Sequence, residues 1–214
     1  MCIHLLSTIN GGYEVPFRVT VQSYLDHCGD ATAKWHVFES DLPAESRHAI
    51  EDQAAGYPLK FYWYDFKGSL PANLPVRGHF VPHVYARILA PRLLPAEVRR
   101  FLYLDGDLLI LDRITDLWNT DLQGAVIGAV PDMAVPHVSS PMGLRRFREL
   151  GFQAADPYFN AGVYLADTAA WRARETGRLA LEYLDSHRDD VNLLDQDALN
   201  AVLRGLWKPL DLRW

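Results

Sequence analysis

Two aspartates separated by one residue, Asp105 and Asp107, interrupt the apolar stretch FLYLDGDLLIL (residues 101–111). Ionised carboxylates accept hydrogen bonds and bind cations. When two are held close together, each raises the other's pKa unless a cation lies between them. Gly106 lets the backbone bend between them without a side chain in the way. The spacing favours a shared divalent cation, although a polar turn between two strands would give the same pattern.

The elements before these aspartates predict an α/β fold. Apolar runs at 3–8, 34–40 and 59–66 predict strands, and helical patterns at 16–28 and 42–55 separate them. A third helical pattern, 84–95, leads into FLYLD, so that Asp105 lies at the carboxyl end of a fourth strand. This order predicts a mostly parallel twisted sheet with helices on its faces. Such sheets bind ligands beyond the carboxyl ends of their strands.

The second half of the chain continues the alternation. GAVIGAVPD (124–132) and YFNAGVYLAD (158–167) predict strands, with an irregular stretch to about residue 156 between them. One helix is predicted over 168–187 and a short one over 195–205, closed by Gly205. Without an internal repeat or a recognisable linker, the chain is interpreted as a single domain, 1–214.

Composition and charge exclude several classes of protein. The formal charge of −6 would repel nucleic acid, so no nucleic-acid partner is expected. The two cysteines, Cys2 and Cys28, form neither a disulfide framework nor a zinc motif, which favours a reducing compartment. No apolar run approaches the roughly 18 to 20 residues of a membrane span. A cytoplasmic protein is expected, and a peripheral membrane association would leave no mark in this sequence.

Four blocks of sequence together resemble one enzyme family. The stretch YARILAPRLLPAEVRRFLYLDGDLLILDRITDLWNTDL is similar to the central segment of glycosyltransferase family 8, which includes glycogenin and bacterial lipopolysaccharide galactosyl- and glucosyltransferases. The other blocks, in the family's order, are GAVPD ending at Asp132, YFNAGVYLAD with Asn160, and LLDQDALN with Asp195 and Gln196. The resemblance covers the chain from about Tyr85 onward and, more loosely, the N-terminal third.

The resemblance implies a GT-A fold and a retaining hexosyltransferase. Glucose or galactose would pass from a UDP-hexose donor to an acceptor that is a glycan or glycolipid. The paired aspartates Asp105 and Asp107 would bind Mn²⁺, or Mg²⁺, and the ion would neutralise the leaving diphosphate. The implied donor contacts are Thr8, Asn10, His79, Arg87, Asp105, Gly106, Asp132 and Asn160.

Several of these residues have a plain structural alternative. Arg87 suits a diphosphate or sugar hydroxyls, but it could instead form an internal salt bridge. Asp132 could cap a helix, and Asn160 could satisfy a buried strand end. A single histidine such as His79 is more often structural than functional.

The resemblance places Asp195 and Gln196 against the donor sugar, with Gln196 closest to the anomeric carbon. An uncharged amide is a poor nucleophile, so the hypothesis is front-face substitution through an oxocarbenium-like species. Gln196 would stabilise the charge while the leaving phosphate assists the acceptor hydroxyl. The alternative for Asp195 is an ordinary helix N-cap.

The sequence departs from the family at two places. In TINGGY, Thr8 and Asn10 stand where the family usually has an aspartate that contacts the nucleoside, which affects donor affinity or base preference. The family's later His-x-x-Gly-x-x-Lys block, which supplies a third metal ligand, does not occur before Trp214. Either the block lies beyond this sequence, or the protein lacks it.

Two other functions fit parts of the pattern. A haloacid-dehalogenase-type phosphatase also has an apolar strand ending in Asp-x-Asp, but Leu109 replaces its Thr or Val, and Asp189-Asp190 does not follow an apolar strand. A catalytically impaired nucleotide-sugar-binding domain is favoured by Asn10 and by the missing block.

Overall fold

A seven-stranded sheet forms the centre of the computed structural model, which describes residues 2–66 and 83–214. Across the sheet the strands run in the order β3-β2-β1-β4-β6-β5-β7. Strand β6 pairs antiparallel with β4 and β5, and the other neighbouring pairs are parallel. This confirms the mostly parallel α/β sheet predicted from the sequence. The strands are β1 (Cys2–Asn10), β2 (Thr32–Ser40), β3 (Leu59–Asp65), β4 (Arg100–Leu104), β5 (Ile127–Pro131), β6 (Phe159–Asp167) and β7 (Trp207–Pro209).

Helices cover both faces of the sheet. A short 3-10 turn, Gly11–Tyr13, joins β1 to the first of them. The helices are α1 (Glu14–His27), α2 (Ala44–Gln53), α3 (His83–Leu93), α4 (Thr115–Trp118), α5 (Thr168–Ala173), α6 (Thr176–Ser186) and α7 (Asp195–Val202). His79, a predicted donor contact, lies outside the described residues and stays a prediction.

The helix predicted over 168–187 is wrong as a single element. Glu175 has a left-handed backbone (φ 53°) and separates α5 from α6. The change of direction brings α6 against α3, where a Cβ on Gly177 would lie 2.7 Å from the Ile88 carbonyl oxygen. Helical periodicity continues across the break, and the close approach to α3 is a tertiary contact that periodicity does not contain.

Alternation along β4 decides which side of the sheet each residue faces. Phe101 and Tyr103 belong to the apolar core under α3, α5, α6 and α7, while Leu102 and Leu104 belong to the core under α1, α2 and α4. Because residues i and i+2 share a face, Asp105 follows Tyr103 toward the α3 and α7 side. The strand therefore directs this carboxylate toward two particular helices.

The irregular stretch between β5 and β6 has an apolar core of its own. Val138 and Tyr158 are fully buried within it, and six residues form the cluster. They are Val135, Val138, Leu144, Phe147, Phe152 and Tyr158. The segment is thus a loop with a packed core of its own, and it lies beside the carboxyl ends of the strands.

Within residues 2–66 and 83–214, no helix has both the length and the hydropathy to cross a membrane. The long helix α1 has 14 residues, whereas a membrane span needs about 20.

Candidate active site

Asp105 lies directly after β4, and hydrogen bonds hold both its backbone and its side chain. Its backbone N–H donates to the Gly162 carbonyl at 2.9 Å. Its Oδ1 accepts from Arg87 Nη2 at 2.9 Å and from the Tyr103 hydroxyl at 3.1 Å. Among the described residues, no hydrogen bond reaches its Oδ2. The Asp105 side chain is 31% exposed, so the site is open to solvent at this carboxylate.

Gly106 and Asp107 complete the turn after β4. A Cβ on Gly106 would lie 2.7 Å from Ile9 Cγ2, so the glycine is needed because the turn packs directly on β1. Asp107 is exposed, and it forms no ion pair within the described part of the chain. Partial burial of its carboxyl and the nearby Asp105 raise the pKa of Asp107. A cation beside both carboxylates would relieve that repulsion.

Arg87 extends from α3 into the centre of the site. Its Nη1 donates to the Ala161 carbonyl at 2.9 Å, its Nη2 to Asp105, and its Nε lies 2.8 Å from Asp195 Oδ2. This last contact is an ion pair whose atoms are not aligned for a hydrogen bond. Burial disfavours the charge, but Asp105 and Asp195 raise the pKa of Arg87 well above its ordinary value. The alternative foreseen for Arg87, an internal salt bridge, is therefore present.

Asp195 is the first residue of α7 and faces Arg87 from the other side. It is only 4% exposed. Burial, partly offset by Arg87, raises the pKa of Asp195 to about 6. The N-cap alternative is wrong, since Leu194 occupies the cap position and makes no side-chain capping bond. Leu194 has a strained backbone (φ 42°, ψ −107°), which a β- or γ-branched residue adopts only when its surroundings impose it.

A second polar cluster joins β5, β6 and α7. Asp132 follows β5, and its Oδ1 accepts from the backbone N–H groups of Ala134 and Val135 at 2.8 and 2.9 Å. Its Oδ2 accepts from Gln196 Nε2 at 2.9 Å and from Asn160 Nδ2 at 3.3 Å. Asp132 therefore caps a turn with one oxygen and orients two amides with the other.

Ala161 in β6 links the two clusters through its peptide groups. Its carbonyl accepts from Arg87, and its N–H donates to Gln196 Oε1 at 2.9 Å. Asn160 Oδ1 also accepts from the Gly162 N–H at 2.7 Å, which fixes the same segment of β6. Arg87, Asp105, Asp132, Asn160, Asp195 and Gln196 are thus brought together at one edge of the sheet.

Asp197, in the DQD block (195–197), and Asn200, later in α7, are structural. Asp197 is fully buried; its Oδ1 accepts from the Tyr158 hydroxyl at 2.5 Å and its Oδ2 from the Asn192 and Leu193 N–H groups. Asn200 bonds the backbone of Phe159 in both directions. Both residues anchor α7 to its surroundings and leave the site to Asp195 and Gln196.

Thr8 and Asn10 lie near the carboxyl end of β1. The Thr8 hydroxyl is buried and lies 2.9 Å from the Tyr103 hydroxyl. Asn10 caps the following turn by accepting from the Gly12 N–H at 2.9 Å. Their predicted contacts with the nucleoside stay predictions, and Thr8 also has a place in the support of Asp105.

The family model described as glycosyl transferase family 8 matches residues 4–214. The chain belongs to glycosyl transferase family 8. It is 27% identical to General stress protein A of Bacillus subtilis over 85% of this chain and 62% of that protein. It is 37% identical to Probable galacturonosyltransferase-like 3 of Arabidopsis thaliana over 80% of this chain and 52% of that protein.

A solved structure confirms the GT-A fold of this family 8 chain. The galactosyltransferase LgtC, crystallised with donor and acceptor sugar analogs, superposes with a TM-score of 0.82 and 25% identity. The match covers 99% of this chain and 74% of LgtC. The chain spans between half and two thirds of the length of the two curated relatives named above.

The residues at the end of β4 suit a hard divalent cation. Asp105 Oδ2 and the exposed Asp107 offer carboxylate oxygens, the ligands that Mn²⁺ and Mg²⁺ prefer. A Cβ on Gly162 would lie 2.7 Å from Asp105 Oδ2, so the glycine preserves the space that this oxygen occupies. No group of three or more His, Cys, Asp or Glu ligands occurs within 2–66 and 83–214.

Sequence reasoning missed three contributors to this family 8 site: Tyr103, Ala161 and Gly162. Tyr103 could have been found, because it precedes Asp105 by two residues in a strand and so shares its face. Gly162 could have been suspected, because a glycine inside a strand often marks a close approach. Ala161 acts through its backbone, and its side chain carries no signal of that role.

Proposed function

We propose that the chain is a retaining hexosyltransferase that transfers glucose or galactose from a UDP-sugar with the help of Mn²⁺, or Mg²⁺, at Asp105 and Asp107. The observation that carries the proposal is the pair of polar clusters that meet at Ala161. In one cluster, Arg87 pairs with Asp105 and Asp195, and Asp105 together with Asp107 would supply carboxylate oxygens to a cation. The other, Asp132 with Gln196, fixes an amide. The family supports a sugar as the transferred group.

A bound divalent ion would act as a Lewis acid that neutralises the diphosphate as it leaves. The chain's part is to keep the carboxylates oriented before the donor arrives. Arg87 and Tyr103 both bond Asp105 Oδ1, which leaves Oδ2 for the ion. Such preorganisation stabilises charge without reorganisation during the reaction.

Gln196 is held in a single orientation. Its Nε2 donates to the Asp132 carboxylate, and its Oε1 accepts from the Ala161 N–H. Hydrogen bonding to a carboxylate polarises the amide and increases the negative character of its oxygen. That oxygen can stabilise the positive charge of an oxocarbenium-like sugar, which supports Gln196 as an electrostatic group.

Neither aspartate of the DQD block is well prepared to attack the sugar covalently. Asp197 is fully buried with both oxygens bonded, and Asp195 is 4% exposed and paired with Arg87. These contacts favour front-face substitution, in which the acceptor hydroxyl attacks on the side from which the phosphate leaves. Asp195 then serves as the second anchor of Arg87.

The charges of the site favour a neutral hexose over a hexuronate. Arg87 contacts the carboxylates of both Asp105 and Asp195. Each of its nitrogens already has a partner. A sugar carboxylate would meet Asp105, Asp132 and Asp195, and no contact within residues 2–66 and 83–214 brings an unpaired basic side chain there to receive it. Loops in 134–156 would meet the acceptor, a glycan or glycolipid.

The test is release of UDP from UDP-glucose and UDP-galactose in the presence of Mn²⁺. We expect release to stop on chelation with EDTA and to be lost in Asp105→Asn and Asp107→Asn. Asp112→Asn is the matched control, because Asp112 is an exposed aspartate further along the same loop and bonds only the Arg113 N–H among the contacts described here. NMR of the transferred sugar should show retention of the anomeric configuration.

The result also separates the alternatives. Donor binding without UDP release, for every donor and acceptor tried, would favour the catalytically impaired binding domain. Release that survives EDTA or both Asp→Asn changes would refute the metal site. The phosphatase alternative loses its support, since the family 8 match extends over the whole segment that suggested it.

A further inference from the structure

Tyr103 in β4 is a fully buried residue that touches both charged groups at the end of its strand. Its hydroxyl donates to Asp105 Oδ1 at 3.1 Å. The Arg87 guanidinium lies over its ring, with Cζ 4.9 Å from the ring centroid. The sequence motif by itself assigns no role to this residue.

The position of the Tyr103 hydroxyl is fixed from a neighbouring strand. Thr8 in β1 lies 2.9 Å from it. Because the tyrosine proton is given to Asp105, the threonine must donate its own proton to the tyrosine oxygen. The result is a buried chain of donors, Thr8 to Tyr103 to Asp105, that crosses from β1 to the metal-binding edge.

The ring is held as firmly as the hydroxyl. Tyr164 of β6 stacks on it, with ring centroids 4.8 Å apart and planes 8° apart. The same ring supports Arg87, whose Nη2 bonds the same Oδ1. Two donors on one oxygen fix the plane of the Asp105 carboxylate and leave the other oxygen in the space beside Gly162.

We propose that Tyr103 is a positioning residue of the metal site, which orients the Asp105 carboxylate through its hydroxyl and supports Arg87 through its ring. This inference rests on the proposed function, since it assumes that Asp105 binds a cation. Groups that orient a metal ligand commonly change metal affinity by about 10- to 100-fold when removed.

Tyr103→Phe tests the hydroxyl, because phenylalanine keeps the ring beneath Arg87 and removes only the bond to Asp105. Tyr164→Phe is the matched control: it removes a buried hydroxyl from the stacked partner ring, and that hydroxyl has no hydrogen-bond partner among the described residues. The measurement is Mn²⁺ affinity in the presence of UDP, by EPR titration of free Mn²⁺, together with thermal unfolding of each variant. Metal-dependent UDP release is measured in parallel over a range of Mn²⁺.

We expect Tyr103→Phe to weaken Mn²⁺ binding by about tenfold or more, within the range given above, and Tyr164→Phe to bind like the wild type. UDP release by Tyr103→Phe should need more Mn²⁺ but recover its maximal rate at saturation, which a general loss of structure would not allow. Thr8→Val, which removes the donor to Tyr103, should shift the Mn²⁺ requirement in the same direction. It replaces Tyr103→Phe in the comparison should that variant fail to fold.

Equal Mn²⁺ affinities in the wild type, Tyr103→Phe and Tyr164→Phe would overturn the role of Tyr103 and leave the proposed function standing. Equal losses in the two Tyr→Phe variants would overturn it as well, because they would indicate a packing effect. A wild-type chain that takes up no Mn²⁺ with UDP would overturn the proposed metal site itself, and the role of Tyr103 with it.

Discussion

Replacing Asp195 by asparagine should change how the stability of the chain depends on pH. The side chain is 4% exposed, and its pKa in the folded chain is raised to about 6, mainly by burial. In the unfolded chain an aspartate has a pKa of about 3.9. Asparagine has nearly the same shape and does not titrate, so the comparison isolates this one proton.

The direction of the effect follows from proton binding. Between the two pKa values the folded chain keeps its proton while the unfolded chain releases it. The free energy of unfolding that Asp195 contributes is therefore fully present below about pH 4 and is lost as the pH rises through about 6. A difference of about two pKa units corresponds to about 3 kcal/mol in total, of which about 2 kcal/mol falls between about pH 4.5 and 7.5.

The assay is urea unfolding of the wild type and Asp195→Asn at several pH values, in buffers without divalent metal. We expect the wild-type stability minus that of Asp195→Asn to fall by about 2 kcal/mol from about pH 4.5 to 7.5. Asp52→Asn in α2, where the aspartate is exposed, controls for the substitution itself. A difference that rises with pH would refute the reasoning, because it would mean that attraction to Arg87 outweighs burial.

Two further changes test other contacts of the site. Gly162→Ala would place a Cβ 2.7 Å from Asp105 Oδ2, so Mn²⁺ affinity with UDP should fall by about tenfold or more; unchanged affinity in the EPR titration would argue against this position of the carboxylate. Tyr158→Phe leaves the fully buried Asp197 without one of its donors and should cost about 1–3 kcal/mol in urea unfolding. Tyr24→Phe, which removes a buried hydroxyl with no partner among the described residues, should cost clearly less, and equal costs would contradict the assignment.

Local signals account for the parts of the fold that the sequence predicted. The strands β1 to β4 are apolar runs separated by Pro, Gly and polar residues, and such signals need no knowledge of distant contacts. The end of β4 was predicted for the same reason, because Asp105 ends an apolar run. The break at Glu175 was missed because the chain on both sides keeps a helical period and the cause lies in the approach to α3.

The contacts within the site were harder to predict, because they join segments far apart in the chain. Arg87, Asp105 and Asp195 come from α3, from the turn after β4 and from α7, and no spacing in the sequence relates them. The resemblance selected these residues individually, but their mutual pairing follows only from the packing of α3 and α7 against one face of the sheet. Asp197 is the opposite case. Its position in the same block suggests a function, but it is fully buried and bonded by Tyr158, so its role is structural.

The pairing also changes the division of work expected at the site. The resemblance implies that Arg87 contacts the donor, but each of its nitrogens already faces Ala161, Asp105 or Asp195. A guanidinium shared between two carboxylates has little positive charge left to offer a diphosphate. The cluster also contains more carboxylates than basic groups among the described residues, so an anionic donor alone would be repelled. A divalent cation at Asp105 and Asp107 would offset that local negative charge, and Arg87 would contribute by holding Asp105 in place for it.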